Sequence, residues 1–118
     1  MTIGEMSKRT GLTLSTLRYY ERKQLIRVAR DRNNRRVYDE RDVDWIKFIE
    51  RLKATGMLLR DIKTYSELRY EGQSTMSVRL SMLESHRRYV LSQLEQWREY
   101  LSNLDEKINF YQKSIAEK

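Results

Sequence analysis

From Met76 onward the apolar residues recur in a heptad rhythm. Met76, Leu80, Leu83, Val90, Leu94, Trp97, Leu101, Leu104, Ile108, Tyr111 and Ile115 are spaced by 4, 3, 7, 4, 3, 4, 3, 4, 3 and 4 residues, with Arg87 as the one polar interruption. That rhythm puts every member on one stripe of a single helix. About 40 helical residues extend roughly 60 Å at about 1.5 Å each, far beyond the small body that the preceding residues can form. One chain cannot cover such a stripe. A second copy can, and a two-fold dimer through this helix sets the distance between the two bodies it joins. Arg87, at a seam position, either pairs with a carboxylate across the seam or marks the end of tight packing. The spacing leaves parallel and antiparallel pairing open. Gly72, Ser74 and Thr75 read as the break before this helix and its fresh N-cap.

The charge lies at the other end. Residues 1–70 hold 17 Lys and Arg against 10 Asp and Glu, whereas 71–118 hold 7 of each. Eight cations fall between Arg18 and Arg36 against only Glu21 and Asp31. This is denser than solubility requires, and it predicts a polyanionic partner for the first part of the chain.

Within that basic stretch, Leu12 to Leu25 carries the recognition chemistry. Thr13 is a good N-cap, with Leu12 and Leu17 at the spacing of a hydrophobic staple, so a helix is predicted to begin at Leu14. At about 100° per residue Leu17, Tyr20 and Gln24 share one side, and Ser15, Arg18, Tyr19 and Arg22 share the other. Two cations, a hydroxyl and a phenol make a face that can lie in a DNA major groove, where Arg pairs with a guanine edge and Tyr reaches phosphate. Before it, Thr2 and Glu5 have capping-box spacing, Ile3 and Met6 are apolar marks, and Gly11 should end the short helix. The two helices and the tight turn between them form a helix-turn-helix.

After Leu25 the texture changes. Residues Ile26 to Arg30 and Arg35 to Tyr38 read as two short strands, with Asn33 and Asn34 at a tip that tolerates positive φ. Arg30, Arg32, Arg35 and Arg36 flank that tip and give a wing able to grip phosphates beside the groove. Asp39 caps a third helix with apolar residues Trp45, Ile46, Phe48, Ile49 and Leu52, and Gly56 is a natural C′ residue. A fourth helix, carrying Ile62, Tyr65 and Leu68, comes after Met57. These two helices should supply the core that supports the reading pair and the wing.

The composition removes several alternatives. With no proline and four glycines the chain should be mainly α. With no cysteine there is no disulfide, thiolate metal site or thiol sensor. A single histidine, His86, no glycine-rich phosphate loop and no metal-ligand spacing argue against an enzyme, a cofactor or a metal. No apolar run is long enough for a bilayer and no signal segment opens the chain, so a cytoplasmic protein without membrane contact is expected.

With these parts in place, the chain resembles the MerR family of bacterial transcription regulators. The residues that carry the likeness are TIGEMSKRTGLTLSTLRYYERKQLI at 2–26, RRVYDERD at 35–42 and WIKFIERLKATGM at 45–57, with R-Y-Y-E-x-x-x-L at 18–25 the most specific string. The resemblance implies a winged helix-turn-helix DNA-binding domain over 1–71 with a small β-hairpin wing. A dimerisation helix over 72–118, paired as an antiparallel coiled coil, would come next. It implies DNA contacts from Arg18 and Tyr19, with Thr13, Ser15 and Thr16 around the helix start, from Arg35, Arg36 and Tyr38 in the wing, and from Arg60 at the fourth helix. Arg22 joins them from the helical phase, and Tyr20 matches a second motif tyrosine although that phase turns it toward the core. The dimer seam is expected from Leu80, Leu83, Val90, Leu94, Trp97, Leu101, Leu104, Ile108 and Tyr111.

Two departures from the family pattern stand out. Leu58 occupies a position where members carry a small polar cap. Many relatives continue into a ligand-binding domain or a cysteine-bearing metal loop, and this chain ends at Lys118 with neither. In length it is similar to a small subgroup that senses aldehydes or nitrosative stress through one cysteine near the end of the third helix, where Arg51 falls here.

The resemblance implies a homodimer that bends and untwists double-stranded promoter DNA at a dyad, working with RNA polymerase. A small-molecule effector would have its place near Tyr65, Tyr70, Tyr89 and Trp97, where dimer packing is the competing use of those rings. The alternative is an architectural protein that tethers DNA through the same fold without an effector.

Overall fold

A computed structural model describes residues 1–117. The order is α1 (Ile3–Thr10), α2 (Leu14–Arg22), β1 (Ala29–Arg30), β2 (Arg36–Val37), α3 (Glu40–Ala54), α4 (Leu59–Glu71), a 3-10 turn (Gln73–Thr75) and α5 (Met76–Ala116). Two compact units divide the chain, a head over Met1–Leu80 and a second unit from Ser81 on. No helix among the described residues is long and apolar enough to cross a membrane.

The head is built by its caps. Thr2 Oγ1 accepts from Glu5 N at 3.1 Å and opens α1, which Gly11 closes at φ 75°. Thr13 Oγ1 accepts from Thr16 N at 3.1 Å and opens α2. Asp39 and Asp42 satisfy each other's backbone amides at 3.0 and 2.9 Å, a reciprocal box at the start of α3. Both α2 and α3 end in Schellman motifs. At α3, Gly56 takes φ 92°, with Met57 N bonding Leu52 O and Gly56 N bonding Lys53 O. At α2 the same bonds run from Leu25 to Tyr20 and from Gln24 to Glu21, but the left-handed residue is Gln24, at φ 63°. Gln24 therefore lies beyond the helix and exposed, not beside Leu17 and Tyr20 as its spacing predicts.

Around one core pack Met6 of α1, Leu17 and Tyr20 of α2, Val43, Trp45, Ile46, Ile49 and Leu52 of α3, and Ile62 and Tyr65 of α4. Leu25 O, just past α2, accepts from both Trp45 Nε1 (2.9 Å) and Ser66 Oγ (2.6 Å), so α3 and α4 together fix the end of the reading helix.

The wing is shorter than its sequence predicts. Ile26 is buried in the core, and Arg27 N donates to Tyr70 OH at 3.0 Å instead of to a strand. At the other end Tyr38 N donates to Met1 O at 2.8 Å and leaves the ladder. Between them Ala29 faces Val37 and Arg30 faces Arg36. Asp31 Oδ1 accepts from Asn33 N at 2.8 Å and Arg35 N at 3.0 Å, and Asn34 takes φ 60° at the tip.

Leu58 precedes α4 without a side-chain cap. Gly72, at φ 105° and ψ −156°, breaks α4 from the 3-10 turn. Thr75, expected to cap α5, points back instead: its hydroxyl lies 2.6 Å from Leu68 O and accepts from Arg79 Nε at 3.0 Å, and the 3-10 turn runs directly into α5. That helix is 41 residues long and buries none of them.

Candidate nucleic-acid interface

Helix α2 sorts its side chains as its phase requires. Leu17 and Tyr20 are 0% and 1% exposed, whereas Ser15, Arg18, Tyr19 and Arg22 face solvent. Among the described residues Arg18 makes no hydrogen bond or ion pair, so its guanidinium is free to engage a partner. Tyr19 lies beneath two cations, Arg22 at 5.9 Å and Lys23 at 5.8 Å from the ring centroid. At the start of α2 the hydroxyls of Thr13, Ser15 and Thr16 gather within 3.1 Å of Thr13 Oγ1, a cluster of donors suited to a phosphate oxygen.

The wing is joined to α2 through Glu21. Its Oε1 meets Arg30 Nη2 at 2.9 Å and its Oε2 meets Arg36 Nε at 2.7 Å. Arg36, expected on phosphate, is thus half-buried against a carboxylate, while Arg32 and Arg35 are exposed at the tip. The backbone amides of Arg35 and Asn33, both donating to Asp31 Oδ1, tie the tip together, and the bond from Arg35, helped by that from Asn33, holds the Asp31 carboxyl below its ordinary range.

A third basic element comes from α4. Arg60 is exposed and only 4.0 Å from its neighbour Asp61. With Arg22, Lys23 and Lys63 it lines a recess that also contains Tyr19 and Leu59. Arg60 is implied by the family resemblance, whereas Lys23 and Lys63 are not among the residues expected from the sequence. The signal was present, since Lys63 is one helical turn beyond Arg60 and Lys23 comes directly after α2.

Two expected contact residues are core residues. Tyr20 donates its hydroxyl to Glu50 and accepts from Lys53 Nζ at 2.7 Å, which ties α2 to α3. Burial, reinforced by that bond to Glu50, pushes its phenol pKa up. Tyr38 is 2% exposed and its hydroxyl has no partner among the described residues. Burial pushes its pKa up as well. The wing strand turns inward at Tyr38 because both its backbone groups are bonded to Met1, including the terminal ammonium at 2.6 Å.

Of the four rings expected around an effector, Tyr65 and Tyr70 belong to the head, and Tyr89 and Trp97 belong to the second unit. Tyr65 is buried, stacked on Trp45 at 5.7 Å and edge-on to Phe48 at 5.9 Å. Tyr70 carries Arg27 at 4.8 Å and Arg69 at 5.2 Å, so a guest on either ring would have to displace existing partners. Tyr89, in the second unit, stacks on His86 at 5.9 Å. Arg51 is exposed on the last turn of α3.

The predicted seam of α5 is open along its length. Leu80, Trp97, Leu101 and Leu104 are 58%, 66%, 59% and 61% exposed, and Leu94, Ile108 and Tyr111 are close behind, with Leu83 and Val90 half-buried.

Residues 1–68 match the family of MerR helix-turn-helix regulatory proteins. Over 116 residues the chain is 34% identical to an HTH-type transcriptional regulator of Haemophilus influenzae, covering 98% of this chain and 86% of that one. It is 38% identical over 92 residues to the HTH-type transcriptional regulator AdhR of Bacillus subtilis, covering 77% and 66%. Among solved structures it is similar to HiNmlR, a MerR family regulator lacking the sensor domain, bound to promoter DNA. There the TM-score is 0.84 at 34% identity, with 98% of this chain and 92% of that one covered. A MerR family regulator of Listeria monocytogenes gives a TM-score of 0.88 at 30% identity, with 94% and 85% covered.

Proposed function

The chain belongs to the MerR family of helix-turn-helix regulators, and from that premise we propose that it acts as a homodimer on promoter DNA, bending and untwisting a dyad operator. It is a transcription regulator and not an enzyme. The observation that carries the DNA reading is the exposed face of α2, with Arg18, unpaired among the described residues, at its centre, basic side chains of α4 beside it and the wing joined to it through Glu21. In this reading Arg18 and Tyr19 enter the major groove, and Arg22, Arg35 and Arg60 meet phosphates on its rims. Thr13, Ser15 and Thr16 hold the backbone at the helix start. The neighbouring solved complex with promoter DNA is that of HiNmlR, and its likeness supports the same class of partner here.

The open stripe of α5 supports a second copy as its cover. Two such helices, antiparallel as the resemblance implies, would close the seam from Leu80 to Tyr111 and hold two heads at a fixed separation. Contact energy from both heads then deforms the DNA between the half-sites, and RNA polymerase reads the result as a change in promoter geometry. The protein would work in the cytoplasm, where that DNA is.

The test is recovery of sheared genomic DNA on the purified protein, with Arg18→Ala as control and the bound fragments sequenced. A small set of Arg18-dependent dyads lying between promoter elements is expected. Broad binding unrelated to promoters would instead establish an architectural, tethering role, and no binding to duplex DNA would overturn the reading.

A further inference from the structure

Glu21 is the one acidic side chain on the basic face between Arg18 and Arg30, and it holds two arginines at once. Arg30 and Arg36 lie directly opposite each other on β1 and β2. Like charges in that cross-strand position repel, and a two-residue ladder is too short to hold against them alone. The Glu21 carboxylate sits between them, one oxygen to each, and its side chain is only 22% exposed. Glu21 belongs to the last turn of α2, two residues beyond Tyr19. The pair of ion bridges therefore runs from the reading helix to both strands of the wing.

We propose that Glu21 is a positioning residue that clamps the wing to α2 and, by sharing its one negative charge between two of the cations beside the DNA, sets the ratio of specific to non-specific binding. This deepens the DNA-binding reading and rests on it. With Arg30 and Arg36 held, the phosphate-facing charges of the wing are those of Arg32 and Arg35, whose place is fixed by the Asp31 turn. Each guanidinium released from Glu21 adds a cation that any duplex can attract, and each phosphate so neutralised steepens the salt dependence by about 0.9 in log K against log salt.

The experiment compares wild type, Glu21→Gln and the double variant Arg30→Gln with Arg36→Gln. Binding is titrated against salt on a duplex recovered by the wild-type protein and on a mixed-sequence duplex. Backbone relaxation of the wing amides 31–35 is recorded in the free proteins. For E21Q, order at the wing should fall, binding to the mixed duplex should tighten about tenfold with a salt slope steeper by about 1 to 2, and preference for the recovered duplex should drop by a similar factor. The double variant should loosen the wing likewise but weaken binding to the mixed duplex, because Glu21 is then left unpaired at the surface. An E21Q wing as ordered as wild type, or equal changes on both duplexes, would overturn the proposal. If the wild-type protein prefers no duplex, the DNA reading fails and the specificity role with it, while the wing relaxation still decides the clamp.

Discussion

The head and the long helix treat the same kinds of side chain in opposite ways. In the head, Met6, Leu17, Ile46, Ile49 and Ile62 are all 0% exposed, enclosed by elements of their own chain. In α5, an apolar stripe of comparable size is buried nowhere. The difference is one of geometry. Short helices joined by capped turns can fold back and face each other, whereas α5, a single helix of 41 residues, buries none of its side chains among the described residues. The head should thus be stable on its own contacts, and the helix should depend on a second chain.

The most severe way to break that contrast is Leu94→Asp with Leu101→Asp. A dimer contains four of these leucines, and burial of each is worth about 1.5–3 kcal/mol, so association should weaken by roughly 6 kcal/mol or more before the cost of burying carboxylates is added. Sedimentation should show monomers at micromolar concentration, with the near-ultraviolet signal of the head retained and DNA affinity much reduced. A variant that stays dimeric, or a monomer that binds at full strength, would contradict the proposed seam.

The converse change lies in the head. Ile49→Ala deletes fully buried volume on α3 and should lower head stability by about 2–5 kcal/mol in denaturant melts. Dimer dissociation, measured well below the midpoint, should stay unchanged. Coupled loss of both would mean that head and helix do not fold as separate units.

How much of this was legible in the sequence obeys the same division. Periodicity and caps are local, so the helices, Thr13, Asp39, Gly56 and the stripe of α5 could be read directly. The misreadings fall where tertiary contacts override local pattern. Tyr38 looked like a wing residue until its backbone paired with Met1, and the strand at Ile26 was lost to the core and to Tyr70. Thr75 has the side chain of a cap, but its hydroxyl points back to Leu68 O and is occupied from ahead by Arg79 Nε. The pairs Arg60 with Lys63 and Arg22 with Lys23 could each be read locally, but that the two pairs line one recess follows only from the packing of α4 near the end of α2, and no periodicity within one helix could reveal that.

Binding chemistry should be separable from both regions' stability. Arg18→Ala removes an exposed side chain with no hydrogen-bond or ion-pair partner among the described residues, so melting and dimerisation should be unaffected. Specific binding should weaken by about 1–3 kcal/mol per half-site, with discrimination blurred at one base pair. Titration against operators substituted one pair at a time reads this directly, and an equal loss on every sequence would remove Arg18 from base reading.

Tyr20→Phe tests the link behind that face. Losing the hydroxyl that bridges Glu50 and Lys53 should cost about 1–2 kcal/mol at neutral pH. The wild-type phenol is neutral in both states below its ordinary value of 10.0. Above that pH the unfolded chain releases the proton and the folded phenol, with its raised pKa, retains it, so stability falls as pH rises. The variant should lose this part of the alkaline destabilisation, and identical pH profiles for the two proteins would show that the phenol titrates alike folded and unfolded.

The smallest expected effect compares two ends within the head. Helices α2 and α3 close with the same pair of backbone bonds, yet the left-handed position holds Gly56 in one and Gln24 in the other. A side chain with Cβ costs about 1 kcal/mol in that conformation, while glycine gives part of this back through the freedom of the unfolded chain. Gln24→Gly should therefore stabilise the head by about 0.5 kcal/mol and leave dimer dissociation alone. Gln24 is exposed, with no side-chain hydrogen bond among the described residues, so little else changes with it. If the variant is instead destabilised, the Gln24 side chain contributes more to the end of α2 than its backbone strain removes, and the reading helix is fixed by more than Leu25 and its two donors.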